Sequence, residues 1–402
     1  MIRGKLPLLP TMSSQFEYID TNDGLDRLIV SLRGASRVAL DTEADSLHHY
    51  FEKVCLIQLS FQGRTYIVDP LADIGLESLL QELAHKNLVF HGAEYDLRML
   101  MAGYRFRPDG EVFDTMLAAQ LVEGEARSLV ALAGQYLGVE LTKQGQRSDW
   151  SRRPLTDSQL SYACNDTRYL QAIADHLEGE LHRLGRLEWH REACRRMVKT
   201  TGQEKSPADP ERIWRIKGLI ELDRRQLAFV REIWHWRERE AQQADLPPFK
   251  IAGNQLIIEL ALWASGAKKQ KLSDPEGNPP RGWATAPGGP KLPRNCVGAR
   301  LRGLEEAIQR ARQLREPNWP PLRTGNNRVQ NEYPPELDLL RAECDRLAAE
   351  LGVESSLVAS RRQLEAISLA RPTTAEQLQQ AGHLMDWQTE LLAPVVGRLF
   401  KR

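Results

Sequence analysis

Residues 39–60 read ALDTEADSLHHYFEKVCLIQLS. Two strand-like pieces frame a polar stretch. Arg37–Leu40 leads into Asp41-Thr42-Glu43 as one short strand, and Val54–Phe61 (VCLIQLSF) has the length and composition of a buried strand. Thr65–Val68 (TYIV) follows across a Gly63-Arg64 turn, so these two runs predict a hairpin. Further out, periodicity predicts a helix over Leu76–Ala84, a strand at Leu88–Phe90 and a helix from Ala93 to Ala102. Asp114 has the character of an N-cap for a helix running to Glu123. Thr156 with Gln159 forms a capping box that opens a helix through Tyr162, Asp166 and Leu170. Strands interspersed with helices predict an α/β domain, a mixed central sheet flanked by helices.

After about residue 205 the pattern is helical only. Leu227, Val230 and Trp234 form one apolar stripe, Pro247-Pro248 breaks it, and Gln255–Trp263 is a further helix. Residues 265–294 are rich in Pro, Gly and Lys and read as a loop. Helix resumes from Ala299 to Leu314, and a second block begins near Pro335 with a stripe of Leu340, Cys344, Leu347 and Leu351 ended by Gly352. The expected organisation is an α/β domain over 1–205, then all-α helical-bundle domains over 206–325 (with the Pro/Gly/Lys insertion) and 326–402. The two helical blocks could be divergent copies of one small domain.

A chain of 402 residues exceeds one ordinary core, and 42% hydrophobic with 27% charged is a globular composition. No apolar run is long enough to cross a membrane, and Met1–Ser14 lacks a secretory pattern. The five cysteines are scattered and without CxxC spacing, which argues against a disulfide framework or a zinc site and for a reducing cytoplasm. Net charge is zero. That counts mildly against a nucleic-acid binder, although a carboxylate cluster needs local acidity and basic surface can lie elsewhere.

Asp41 and Glu43 stand two apart on a strand, so both point to one face. Adjacent carboxylates repel unless cations sit between them. Asp96 lies in the first turns of its helix, where an acid also favours the helix dipole. Tyr162 and Asp166, four apart in a helix, share a face and could equally be a hydrogen-bonded structural pair. Each sign alone is weak. As an ordered set, with the surrounding stretches VFHGAEYDLRML (89–100), VFDTMLAAQLV (112–122) and SDWSRRPLTDSQLSYACNDTRYL (148–170), they are not independent accidents.

The order acid-x-acid, acid, Tyr-x-x-x-Asp resembles the DEDDy 3′-5′ exonuclease superfamily, and the chain as a whole resembles the ribonuclease D family. The helical blocks resemble the C-terminal HRDC-type domains of that family. The resemblance implies an RNase H-like exonuclease domain that hydrolyses RNA from its 3′ end to nucleoside 5′-monophosphates. It implies two divalent cations, Mg²⁺ or Mn²⁺, which suit hard oxygen ligands. By the same resemblance Asp41 bridges both ions, Glu43 and Asp166 hold the one that activates water, Asp96 supports the other, and Tyr162 orients the water. The expected partner is RNA with a free 3′ end, tRNA precursors above all, acted on by a cytoplasmic monomer. A 3′-5′ DNA exonuclease and a catalytically inactive nucleic-acid-binding protein are the alternatives.

Further candidates for substrate contact are Leu47 as a wedge against terminal bases, His91, and Lys143, Arg153 and Arg98 at phosphates. Each has an ordinary structural counterpart: a core leucine, a satisfied core histidine, solvated surface cations. His48-His49 point opposite ways and do not suggest a metal site. Trp234 fits the core stripe, Trp236 fits partial packing better than stacking on a base, and Trp387 reads as core. Lys268, Lys269, Lys271, Arg281, Lys291 and Arg294 are the best candidates for an electrostatic path to nucleic acid, against a solvated loop.

Overall fold

The computed structural model describes residues 16–125, 127–142, 145–203, 209–266, 289–322 and 334–400. Six strands, β1 Phe16–Ile19, β2 Arg37–Ala44, β3 Val54–Phe61, β4 Arg64–Val68, β5 Asn87–Phe90 and β6 Val112–Asp114, form one sheet in the order β1-β4-β3-β2-β5-β6. The β2-β3 and β3-β4 pairs are antiparallel; β1-β4, β2-β5 and β5-β6 are parallel. The mixed sheet is the expected one. The β3-β4 hairpin turns on Gln62 and Gly63, both at positive φ (49° and 74°), as a two-residue turn requires.

Helices cover both faces. On one side lie α1 Asn22–Arg33, α2 Glu77–Ala84 and α3 Glu94–Tyr104; Leu25, Leu28, Leu79, Leu97 and Leu100 pack there on Val38 and Leu40 of β2. Then come α4 Thr115–Glu123 and the single turn α5 Leu129–Leu132. On the other side lie α6 Asp157–Arg168 and α7 Leu170–Arg183, with Leu170 and Ala174 on Ala39 of β2 and Val89 of β5. The helix expected to run through Leu170 is therefore two helices, parted at Tyr169. Alternation along β2 thus gives Val38, Leu40 and Thr42 to the α1-α3 side and Ala39, Asp41 and Glu43 to the α6-α7 side.

After α8 Leu187–Thr201 the regular elements among the described residues are all helical, among them α9 Arg224–Gln243, α10 Pro248–Ile251, α11 Asn254–Gly266, α12 Gly298–Gln313, α13 Glu336–Leu351, α14 Ser355–Val358, α15 Arg361–Ala370, α16 Ala375–Gly382 and α17 Asp386–Phe400. The chain divides into two compact units. One comprises the described residues of Met1–Asp45, Lys53–Gln203 and Glu332–Arg402, the other Ser46–Glu52 and Glu204–Asn331. In the first, the C-terminal helices pack on the sheet domain. Trp387 stacks on Trp189 with ring centroids 4.5 Å apart, and Arg186 donates to the carbonyl oxygen of Leu351.

In the second unit, α9 is the central helix, packed by α10, α11 and α12. One expectation reverses here. Trp236 is fully buried, its indole N–H donating to the Arg300 carbonyl at 3.1 Å, while Trp234 is only half-buried. A helix surrounded by neighbours buries more than one stripe: Leu227 and Val230 of the i, i+3, i+7 row are in the core as expected, and Trp236 belongs to a second buried row. The five cysteines are buried free thiols. No helix among the described residues is long and apolar enough to cross a membrane.

Candidate active site

Strand β2 outruns its parallel neighbour: β5 pairs with it only along Arg37–Ala39. The Thr42 N–H therefore lies beyond the end of β5 and needs another acceptor. Asp96, two residues into α3 and 6% exposed, supplies it. Its Oδ1 accepts the Thr42 N–H at 2.9 Å and the Thr42 hydroxyl at 2.6 Å. Thr42 thus ties a carboxylate from the α3 side to the strand whose other face carries Asp41 and Glu43.

Helix α6 completes the arrangement from the opposite side. The expected Thr156/Gln159 capping box sets its first turn, and one turn separates Tyr162 from Asp166. Asp41, Glu43 and Asp166 each present a carboxylate oxygen, and the three oxygens lie within 4.8 Å of one another. The Tyr162 hydroxyl donates to Asp166. The phenol is seated tightly, with Trp150 at 6.0 Å between centroids. Gly145, at φ +116°, also abuts it: a Cβ there would stand 2.9 Å from Tyr162 Cγ. Both the backbone conformation and the space demand glycine there.

Without cations such a cluster is electrostatically strained. Burial, then Asp96, Asp166 and Glu43, hold the Asp41 carboxyl far above the usual carboxylate range. Burial, Asp166 and Asp96 do the same to Glu43. Asp166 is pushed up to about 8 by burial and Asp96, against the Tyr162 hydrogen bond. Asp96 is pushed up to about 7 by burial, with its two Thr42 bonds opposing. Burial and the carboxylates raise the Tyr162 phenol, so it stays protonated at neutral pH. Hard oxygen donors in a cluster of uncompensated acids, with neither Cys nor His among them, fit divalent cations of the Mg²⁺ type.

A family profile described as a 3′-5′ exonuclease matches residues 16–182, and one for the HRDC domain matches residues 226–264. Ribonuclease D of Xanthomonas oryzae pv. oryzae is 30% identical across 91% of this chain and 93% of its own length. The chain belongs to the ribonuclease D family. Ribonuclease D of Gluconacetobacter diazotrophicus is similar to it at 29% identity over 95% of this chain and 93% of that protein. The fold is also that of Escherichia coli RNase D, with a TM-score of 0.67 at 23% identity, covering 96% of this chain and 99% of that one. The chain is a ribonuclease D-like 3′-5′ exoribonuclease.

The other candidate contacts of this ribonuclease D-like chain are dispersed. Leu47 is 46% exposed, in the Ser46–Glu52 segment that belongs to the second unit. Half-buried His91 bonds through Nδ1 to Thr115 Oγ1 at 2.9 Å; that hydroxyl spends its own proton on the Phe90 carbonyl, so Nδ1 carries the hydrogen. Burial holds the imidazole below its usual range and neutral. Arg153 is committed inside the fold, with Nε and Nη2 on Asp69 at 2.6 Å each, Nη2 also on the Cys55 carbonyl and Nη1 on the Trp150 carbonyl. The second Nη1 hydrogen goes to the Arg152 carbonyl at 2.8 Å, so all five N–H are used and a phosphate contact by Arg153 would have to break one of these bonds. Arg98 lies over the Tyr95 ring at 4.9 Å. His49 bonds Asp245, whereas His48 meets Lys250. Lys143, Lys268, Lys269, Lys271 and Arg281 lie outside the described residues; Lys291 and Arg294 are exposed.

Two contributors escape sequence reasoning. Thr42 sits inside the DTE stretch, but its partner is 54 residues away. Asp114 is the N-cap expected for α4, accepting from Met116 and Leu117, and it also accepts from Gly92 N at 3.0 Å and Ala93 N at 2.8 Å. One buried carboxylate thereby fixes the start of α3, the helix that carries Asp96.

Proposed function

We propose that this exoribonuclease trims RNA 3′ ends by two-metal-ion hydrolysis at Asp41, Glu43, Asp96 and Asp166, with Tyr162 beside them. The observation that carries the proposal is the convergence of oxygens from β2 and α6 to within 4.8 Å of one another. When bound, a pair of Mg²⁺ or Mn²⁺ ions supplies activation of water and charge neutralisation at the phosphate and leaving oxygen. Asp41 would serve both ions, and Glu43 and Asp166 would hold one of them. Asp96, its Oδ1 held by Thr42, would support the other. Tyr162, protonated and bonded to Asp166, cannot act as a base; its hydroxyl would orient the attacking water.

The substrate is RNA with a free 3′ end, tRNA precursors above all, and the product is nucleoside 5′-monophosphate. The relative from Escherichia coli is described as an exoribonuclease involved in structured RNA processing, which supports a folded RNA with a protruding end. Incubation of the purified protein with a tRNA precursor bearing a 3′ extension should shorten it to a near-mature end, with 5′-monophosphates as the only small product. Internal cleavage, or release of 3′-monophosphates, contradicts this.

The helical segments support a division into 1–205, 206–325 and 326–402, the last two being related HRDC-type domains. The turn from α9 to α10 has Asp245 at φ 46° and the bonds Leu246 N to Ala241 O, Lys250 N to Pro247 O and Ala252 N to Pro248 O. The turn from α13 to α14 has Gly352 at φ 65° and the bonds Val353 N to Ala348 O, Leu357 N to Glu354 O and Ala359 N to Ser355 O, at one constant offset along the chain. Ala252 and Ala359 leave the short helices at nearly the same dihedrals, φ −155°, ψ 124° and φ −157°, ψ 131°.

A further inference from the structure

Gln58 is the one polar side chain in the middle of an otherwise apolar row, Leu56-Ile57-Gln58-Leu59 of β3. It is fully buried, and among the described residues neither its amide nitrogen nor its amide oxygen has a hydrogen-bond partner. Buried amides left without partners are rare, and each calls for a physical reason.

Register supplies one. Gln58 is directly opposite Asp41 in the antiparallel β2-β3 pair, and opposed residues project to the same face with Cβ atoms about 4.5–5.5 Å apart. On its other flank stands Ile67 of β4, which packs with Ala163 and Cys164 of α6. The amide therefore lies on the α6 side of the sheet, between an apolar patch and the carboxylate cluster, where Asp41 is the polar neighbour across the strand pair. A donor beside a dication site has to be neutral. Lys or Arg would hold the carboxylate by competing with the cations, whereas an amide N–H stabilises a charged carboxylate and leaves its remaining lone pairs to the metals.

We propose that Gln58 is a positioning residue for Asp41: its amide N–H, unpartnered without cations, donates to that carboxylate when cations are bound and fixes it in the orientation that holds them. The inference rests on the metal-site reading above. It places a determinant of metal affinity on β3, a strand that carries none of the five candidate catalytic residues.

The test uses the full chain stripped with EDTA, comparing wild type, Asp41→Asn, Gln58→Leu and Gln58→Met. Calorimetric titration with Mn²⁺ alone, melting in EDTA, and single-turnover and steady-state rates on a 5′-labelled RNA oligonucleotide are the readouts. The expected result for both Gln58 variants is a melting temperature at or above that of wild type, because an unpartnered buried amide is removed. Mn²⁺ affinity and kcat should both fall about tenfold or more, the usual effect of losing a group that supports a metal ligand, while KM for RNA stays within about twofold. Wild-type Mn²⁺ affinity and kcat in either well-folded variant overturn the proposal. A large fall in melting temperature in both variants also overturns it, since Gln58 would then be structural. If wild type binds no Mn²⁺, or Asp41→Asn binds it as wild type does, the metal-site reading itself fails, and that outcome is distinct from failure of Gln58 alone.

Discussion

Asp41 and Thr42 are neighbours that face opposite sides of the sheet, and between them they draw the site together from both. Asp41 meets the α6 residues; Thr42 binds Asp96 through two hydrogen bonds. Asp41→Asn should reduce turnover to background. In EDTA it should melt above wild type, because one member of a repelling group becomes neutral. Appreciable turnover by that variant contradicts the role given to Asp41. Thr42→Val keeps shape and strand preference but removes a donor to a buried carboxylate. Its kcat should fall about tenfold, with Thr42→Ser recovering most of the loss, as expected for a group that orients a ligand. A Val variant as fast as wild type would show that the Asp96 anchor is dispensable.

Elements set these residues in place through their ends. β2 is longer than β5, so α3 starts beside an unfilled strand edge; β6 ends in Asp114, which caps α4 and holds the residues before α3. Asp114→Ala should cost about 2–4 kcal/mol in urea unfolding, a lost N-cap plus two stranded backbone donors. A loss below about 1 kcal/mol would mean that water satisfies those donors. Much at this scale was legible in the sequence. The DTE strand, the apolar run to Phe61, the capping box at Thr156 and the Tyr162/Asp166 spacing all have local causes, and each element formed where those causes act. Local period tells which face a side chain takes and nothing about its partner. The Thr42-Asp96 bond, the second duty of Asp114 and the burial of Trp236 depend on contacts distant in sequence. Gln58 did carry a local signal, a lone amide in an apolar strand.

At the scale of the molecule, the first unit unites the six-stranded sheet with the C-terminal helices, through Trp189 on Trp387 and Arg186 on the Leu351 carbonyl. That packing was not legible, because a helical stripe such as Leu340, Cys344 and Leu347 does not say which surface it meets. The cluster also gives the protein a pH-dependent stability. Asp96 at about 7 and Asp166 at about 8 hold protons in the native state that their unfolded counterparts release near pH 4. Native protein therefore binds more protons between those limits, and metal-free stability falls as pH rises from about 4, levelling off above about 8. Melting curves in EDTA should move down from pH 5 to pH 8.5, and excess Mn²⁺ should reverse the loss at the upper end. A flat profile would mean that burial and neighbouring charge do not hold protons on Asp96 and Asp166. The most direct measurement is digestion of a 5′-labelled RNA with Mg²⁺, with Mn²⁺ or with EDTA, by wild type and Asp41→Asn. Stepwise shortening from the 3′ end by wild type with either metal, and intact RNA in every other lane, is the result expected. Shortening in EDTA, or by Asp41→Asn, would contradict a cation-holding carboxylate site.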